Sequence, residues 1–152
     1  MATLLLVGGL LTACGDHSED HMPAGKHPVR LVAAVQPTTR STAVDNAWTG
    51  GEQVAVEATS YAEGAQPEVK IYTAAADGAL TADDPIWWTS DNEWKRLRAW
   101  YCADGSSAAG GAHATAVPGK WAVKPDQRGE GYAQSDLLFA TTEAGYAKHV
   151  TD

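Results

Sequence analysis

The chain has 152 residues, 44% of them apolar and 20% charged, and its 19 acids against 11 Lys and Arg give a net charge of -8. That length suggests one domain able to bury about 70% of its unfolded surface, and that composition excludes a wholly disordered chain. No Lys/Arg cluster offsets the acidity, so no nucleic acid partner is expected, and acidity of this size mainly implies solubility.

The first element is an apolar run, Leu4 to Leu11, interrupted by Gly8-Gly9. It is far shorter than the roughly 20 residues needed to span a bilayer. Its position fits the h-region of a signal peptide, although Met1-Ala2-Thr3 supplies no basic residue. Leu11-Thr12-Ala13-Cys14 follows. It looks like a bacterial lipobox, in which the cysteine thiol receives a diacylglycerol and the chain is cut before it. The competing reading is a buried Cys in a core helix, which the glycines and the following polar tract suit poorly. Residues 1-13 are therefore expected to be a lipoprotein signal peptide and Cys14 the lipidated residue, anchored to the outer membrane rather than spanning it. Residues 14-28 carry Asp16, Glu19, Asp20, three His and two Pro, and read as a polar tether. His17 and His21 share a spacing that metal ligands use, but Pro23, Gly25 and Pro28 argue against a rigid site, and no metal is expected.

From residue 29 onward the pattern becomes two-periodic, the signature of half-buried strands. Leu31, Ala33 and Val35 alternate, as do Val54, Val56 and Ala58 against Gln53, Ala55 and Glu57. Val69 and Ile71 flank Lys70; Leu97, Ala99 and Tyr101 face one way and Arg96, Arg98 and Trp100 the other. Trp121 and Val123 alternate with Lys120, Ala122 and Lys124. Turn residues separate the runs at Gly50-Gly51, Glu63-Gly64, Asp77-Gly78, Asp104-Gly105, Pro118-Gly119 and Gly129 to Gly131. The expectation for residues 29-152 is an all-β sandwich or barrel with long loops. Gly105 to Ala116 reads as a mobile loop, and Ser135 to Ala140 either as a turn of helix capped by Ser135 or as a loop that drops Leu137, Leu138 and Phe139 into the core.

No catalytic constellation is visible: there is no Gly-x-Ser-x-Gly elbow, His-Glu-x-x-His or phosphate loop. Neither an enzyme activity nor a cofactor is expected. Cys102 has no CxxC partner and reads as a buried, inert thiol. Asp77, Asp83 and Asp84 lie in a turn-rich stretch that lacks an EF-hand pattern and reads as a solvated acidic loop. The tryptophans say more. Four of the six fall between Trp87 and Trp100. Trp87 and Trp88 are adjacent, so a strand points them to opposite faces. An exposed one beside polar residues is a candidate glycan contact; the alternative is a heavily aromatic core.

These pieces share their order with a known family. Thr39-Arg40-Ser41 precedes Trp48-Thr49-Gly50-Gly51-Glu52-Gln53-Val54-Ala55-Val56. Arg98-Ala99-Trp100-Tyr101, Trp121-Ala122-Val123-Lys124-Pro125-Asp126-Gln127 and Ser135-Asp136-Leu137-Leu138-Phe139-Ala140 follow. The chain resembles the N-terminal domain of the fimbrillin-like lipoproteins, or type V pilins. The resemblance implies a transthyretin-like β-sandwich, here incomplete. It also implies export as a lipoprotein and a stalk, tip or anchor role in fimbriae that contribute to adhesion. Its partners would be other fimbrial subunits, the outer membrane through the lipid, and host or bacterial surface ligands. In polymerising members a trypsin-like protease cuts after an arginine near the first strand, and a strand from another subunit fills the groove. The matching position here is Arg40, with residues 29-36 as the strand that would leave. The other function considered is a surface glycan-binding lipoprotein that uses Trp87 or Trp88.

Overall fold

The computed structural model describes residues 4–6, 27–35, 47–89, 93–142 and 147–148. Its strands are β1 (Leu4–Leu6), β2 (His27–Pro28), β3 (Leu31–Val35), β4 (Gln53–Ser60), β5 (Glu68–Ala74), β6 (Ala79–Thr81), β7 (Trp87–Trp88), β8 (Trp94–Cys102), β9 (Leu137–Thr141) and β10 (Ala147–Lys148). One helical turn, α1 (Glu130–Ala133), precedes β9. The main sheet runs β1-β3-β6-β5-β4-β8-β10, with β9 sharing the β8 edge, and β2 pairs β7 separately. Every pairing is antiparallel. The sheet curls into a half-barrel that brings β1 alongside β9, an all-β architecture consistent with a β-sandwich.

Alternation decides what the curl encloses. Val54, Val56 and Ala58 of β4, Tyr72 and Ala74 of β5, Leu97 and Ala99 of β8, and Leu138 and Ala140 of β9 point inward. Val29, Leu31 and Ala33 join them from the β3 side. The central strand departs from the half-wet expectation, because Ala55 is fully buried and Glu57 is 7% exposed. Both lie on the outer face, where Ala55 packs with Trp100 and Cys102 under Val117, Trp121 and Leu137. The chain between β8 and β9 folds back over this face. The Trp100 indole N–H donates to His113 O at 2.8 Å and the Trp121 indole to Ser135 O at 2.7 Å.

Three local expectations change. Residues 105–116 form successive turns tied to the sheet, with Ser107 fully buried. Its hydroxyl accepts from the Cys102 amide at 2.9 Å and donates to Gln53 O at 3.2 Å. Residues 121–124 are not a strand. The β8 edge that they would need is taken by β9, so Trp121 is held by its indole while Val123 stays 64% exposed. Leu137 to Thr141 is a strand, neither helix nor loop, paired from Cys102↔Leu137 to Arg98↔Thr141. Ser135 ends the preceding turn instead of capping a helix: its hydroxyl donates to Gly131 O at 2.6 Å.

Candidate strand-addition site

The strand of interest is β3, together with Val29 just before it. Val29, Leu31 and Ala33 are 4%, 5% and 1% exposed, while Arg30 and Ala34 face out. This strict alternation is what the sequence pattern predicts for one buried face. β3 pairs with β6 through Leu31↔Leu80 and Val32↔Ala79, and with β1 from Leu4↔Val35 to Leu6↔Ala33.

Three further contacts fasten it. The Val29 amide donates to Ile86 O at 2.7 Å and the Ala33 amide to Gly78 O at 2.8 Å. The buried Trp48 indole N–H donates to Ala33 O at 2.7 Å. Gly78 is the point of closest approach: its φ is +86°, and a Cβ there would lie 2.3 Å from Ala33 O. Only glycine supplies both the left-handed backbone and the missing volume. Burying Val29 and Leu31 contributes about 1.5–3 kcal/mol each. Cutting one peptide bond nearby would therefore not release β3; another strand has to replace it.

Trp48 is aimed by the segment that follows it. Gly50 and Gly51 both take φ +98°. The Glu52 carboxylate closes the turn, accepting from the Thr49 amide at 2.8 Å, the Thr49 hydroxyl at 2.6 Å and the Gly50 amide at 2.8 Å. Partial burial pushes the Glu52 carboxyl up, but the hydrogen bonds from Thr49, Gly50 and its own amide outweigh this and hold it below the usual carboxylate range. The Trp-x-x-Gly-Glu-x-Val-x-Val stretch thus has a physical meaning. An indole latches β3, two glycines turn the chain, a carboxylate fixes the turn, and the two valines start the central strand.

Cys14 and Arg40 lie outside the described residues. Trp88 is 6% exposed and packs in the main core, while Trp87 is half-buried; the two rings take opposite faces of β7, as adjacency requires. The more open indole is Trp94, 44% exposed. Cys102 is a free, fully buried thiol, pushed up by burial despite hydrogen bonds from Ser106 and Ser107. A concavity of about 580 Å³ lies over the outer face of β5 and is lined in part by Val69, Ile71 and Asp83. At its rim Lys70 pairs with Asp84, and the Asp77 carboxylate accepts from the Ala79 amide in the β5–β6 turn. Among the described residues no group of His, Cys, Asp and Glu is placed to hold a metal, and no helix is long and apolar enough to cross a membrane.

The sequence signal missed the β3 latch, because Gly78 and Trp48 are distant from Ala33 along the chain. Asp77-Gly78 was visible as a turn, but its approach to another backbone was not.

A curled antiparallel sheet with a tightly seated strand near one end defines an all-β protein consistent with a β-sandwich. The chain matches the Fimbrillin-like family over residues 39–152, and it belongs to that family. The family is one of structural pilins, so the chain is by membership a fimbrial-type subunit whose partners are other fimbrial subunits. No curated protein and no solved structure matches it.

Proposed function

We propose that this protein is a surface lipoprotein subunit of a fimbria, anchored at first through Cys14, without enzyme activity, and assembled by strand addition at the seat of β3. Its place is the outer membrane and then the fimbrium, where it contributes to adhesion. Cleavage after Arg40 severs the covalent link to the segment that contains β3, and a strand from another subunit then displaces it.

The seating of β3 supports this reading. Removing it leaves the β6 edge unpaired, Ile86 O and Gly78 O without their amide donors, and the Trp48 indole without its acceptor. It also opens apolar room where Val29, Leu31 and Ala33 stood. Unpaired backbone groups beside a row of apolar sites select an extended, alternating donor. The covering chain must therefore repeat the alternation of β3, whichever subunit it comes from.

The test uses the full chain and a trypsin-like protease, with a fluorescent peptide of sequence Val-Arg-Leu-Val-Ala-Ala-Val-Gln as donor. The peptide is expected to enter only after cleavage, and an Arg40→Ala variant to refuse it. Uptake by uncleaved protein to the same extent, or none after cleavage, contradicts the assembly mode. Mass spectrometry of the mature N-terminus checks the anchor separately: an unmodified Cys14 removes it.

A further inference from the structure

Beyond β3, the outer face of the sheet ends in a small platform. β4 and β8 pair with Thr59 opposite Arg96, and the Tyr61 amide donates to Trp94 O at 3.0 Å one step further on. Alternation places Thr59, Tyr61, Trp94 and Arg96 together on the face turned away from the main core, since Lys95 and Leu97 turn inward. Tyr61 is 67% exposed and Trp94 44%. Thr59, Ser60, Tyr61 and Arg96 line an open concavity of about 250 Å³. That is slightly below the roughly 300–1,000 Å³ of pockets for drug-sized ligands, and suits a single ring.

The charge on this face runs against the rest of an acidic chain. Arg98, two residues along, is held by Glu57 through Nε to Oε1 at 2.8 Å and the second guanidinium nitrogen to Oε2 at 2.7 Å. Arg96 is exposed and has no carboxylate of its own among the ion pairs of the described residues. A guanidinium matches a carboxylate through two parallel N–H donors. Tyr and Trp rings offer flat apolar faces with a polar rim, on which the C–H face of a pyranose can lie. A neutral sugar would leave Arg96 unused and a simple anion would leave the rings unused.

We propose that Trp94, Tyr61 and Arg96 form a binding site for an acidic saccharide, a pyranose ring bearing a carboxylate, as hexuronic and sialic acids do. The ring lies in the concavity against Tyr61, with Trp94 beside it on the same face, the carboxylate meets Arg96, and the Thr59 hydroxyl takes a sugar hydroxyl. The site stands apart from the β3 seat and does not depend on subunit assembly.

The test titrates the full chain with tri-galacturonate and with 3′-sialyllactose, following tryptophan fluorescence and calorimetry. Fully methyl-esterified tri-galacturonate, lactose and a short peptide with a free C-terminal carboxylate are the comparisons. At least one acidic saccharide is expected to bind about tenfold or more tightly than its neutral counterpart, the scale of one charge-assisted hydrogen-bond pair. Arg96→Gln is expected to erase that preference, and Trp94→Ala to weaken binding of the same saccharide. Tyr61→Ala, at a more exposed position, reads the aromatic contribution if Trp94→Ala does not fold. Equal binding of the neutral and acidic forms, an unchanged preference in Arg96→Gln, binding of the peptide alone, or no saccharide binding overturns the proposal.

Discussion

Gly78→Ala tests the seat of β3 most sharply, because two separate penalties meet at that position. Its φ of +86° costs an L-residue about 1–2 kcal/mol. The new Cβ would lie 2.3 Å from Ala33 O, so the backbones must part. Overpacking of this kind typically costs about 1–3 kcal/mol. Parting them also strains the 2.8 Å bond from the Ala33 amide to Gly78 O, worth about 1 kcal/mol. Together these come to roughly 3–6 kcal/mol, a large share of the roughly 5–15 kcal/mol that holds a domain folded. Gly105→Ala is the reference, since Gly105 has φ +79° and nothing within 4 Å of the place its new methyl would take, leaving only the conformational cost of about 1–2 kcal/mol. Urea unfolding followed by tryptophan fluorescence should separate the two variants by about 2 kcal/mol or more. Amide exchange should show the loss first in Leu31 to Val35, with β4 and β8 protected longer. Equal destabilisation by the two substitutions, or exchange rising as fast in β4 as in β3, would refute the reasoning.

Two further predictions concern charged groups. The Glu57 side chain is 9% exposed and that of Arg98 34%, so breaking their pair is asymmetric. Arg98→Met strands a buried carboxylate and should cost about 2–4 kcal/mol, below the 3–5 kcal/mol of a fully buried pair, while Glu57→Gln should cost about 1 kcal/mol. Chemical denaturation of both singles and the Glu57→Leu/Arg98→Met double checks this; equal losses in the two singles contradict it. Glu52 and Glu93 both have carboxyls held below the usual range, in each case by hydrogen bonds that outweigh burial. A carboxyl depressed in the native state stabilises it fully above the unfolded value, near pH 4.3, and that contribution is lost as pH falls through the lower native value. Thermal melts between about pH 6 and pH 3 should therefore show an acid loss of stability that is smaller in Glu52→Gln. An identical acid profile in the variant would remove the turn-closing role of Glu52.

What could be read in advance, and what could not, follows from the range of each interaction. β3, β4, β5 and β8 announced themselves because Leu31-Ala33, Val54-Val56-Ala58, Val69-Ile71 and Leu97-Ala99 alternate over a full strand. β9 did not, because Leu137-Leu138-Phe139 is an unbroken apolar run; only the β8 edge decides that Leu138 goes in while Phe139 stays 38% exposed. Trp121-Ala122-Val123 failed the other way, with good alternation but no strand partner among the described residues, the β8 edge being held by β9. The burial of Glu57 depended on Arg98 from another strand. The β3 latch and the Tyr61–Trp94–Arg96 platform arise from register and from backbones that meet across the sheet. A local pattern carries neither.

The central claim is that β3 is a removable strand in a fimbrial subunit. It is tested most directly by the intact mass and N-terminal sequence of the protein recovered from assembled surface fibres. The account predicts a subunit beginning at Ser41, with the lipidated N-terminus and β3 both gone. Fibre subunits that still begin at an acylated Cys14 would contradict it.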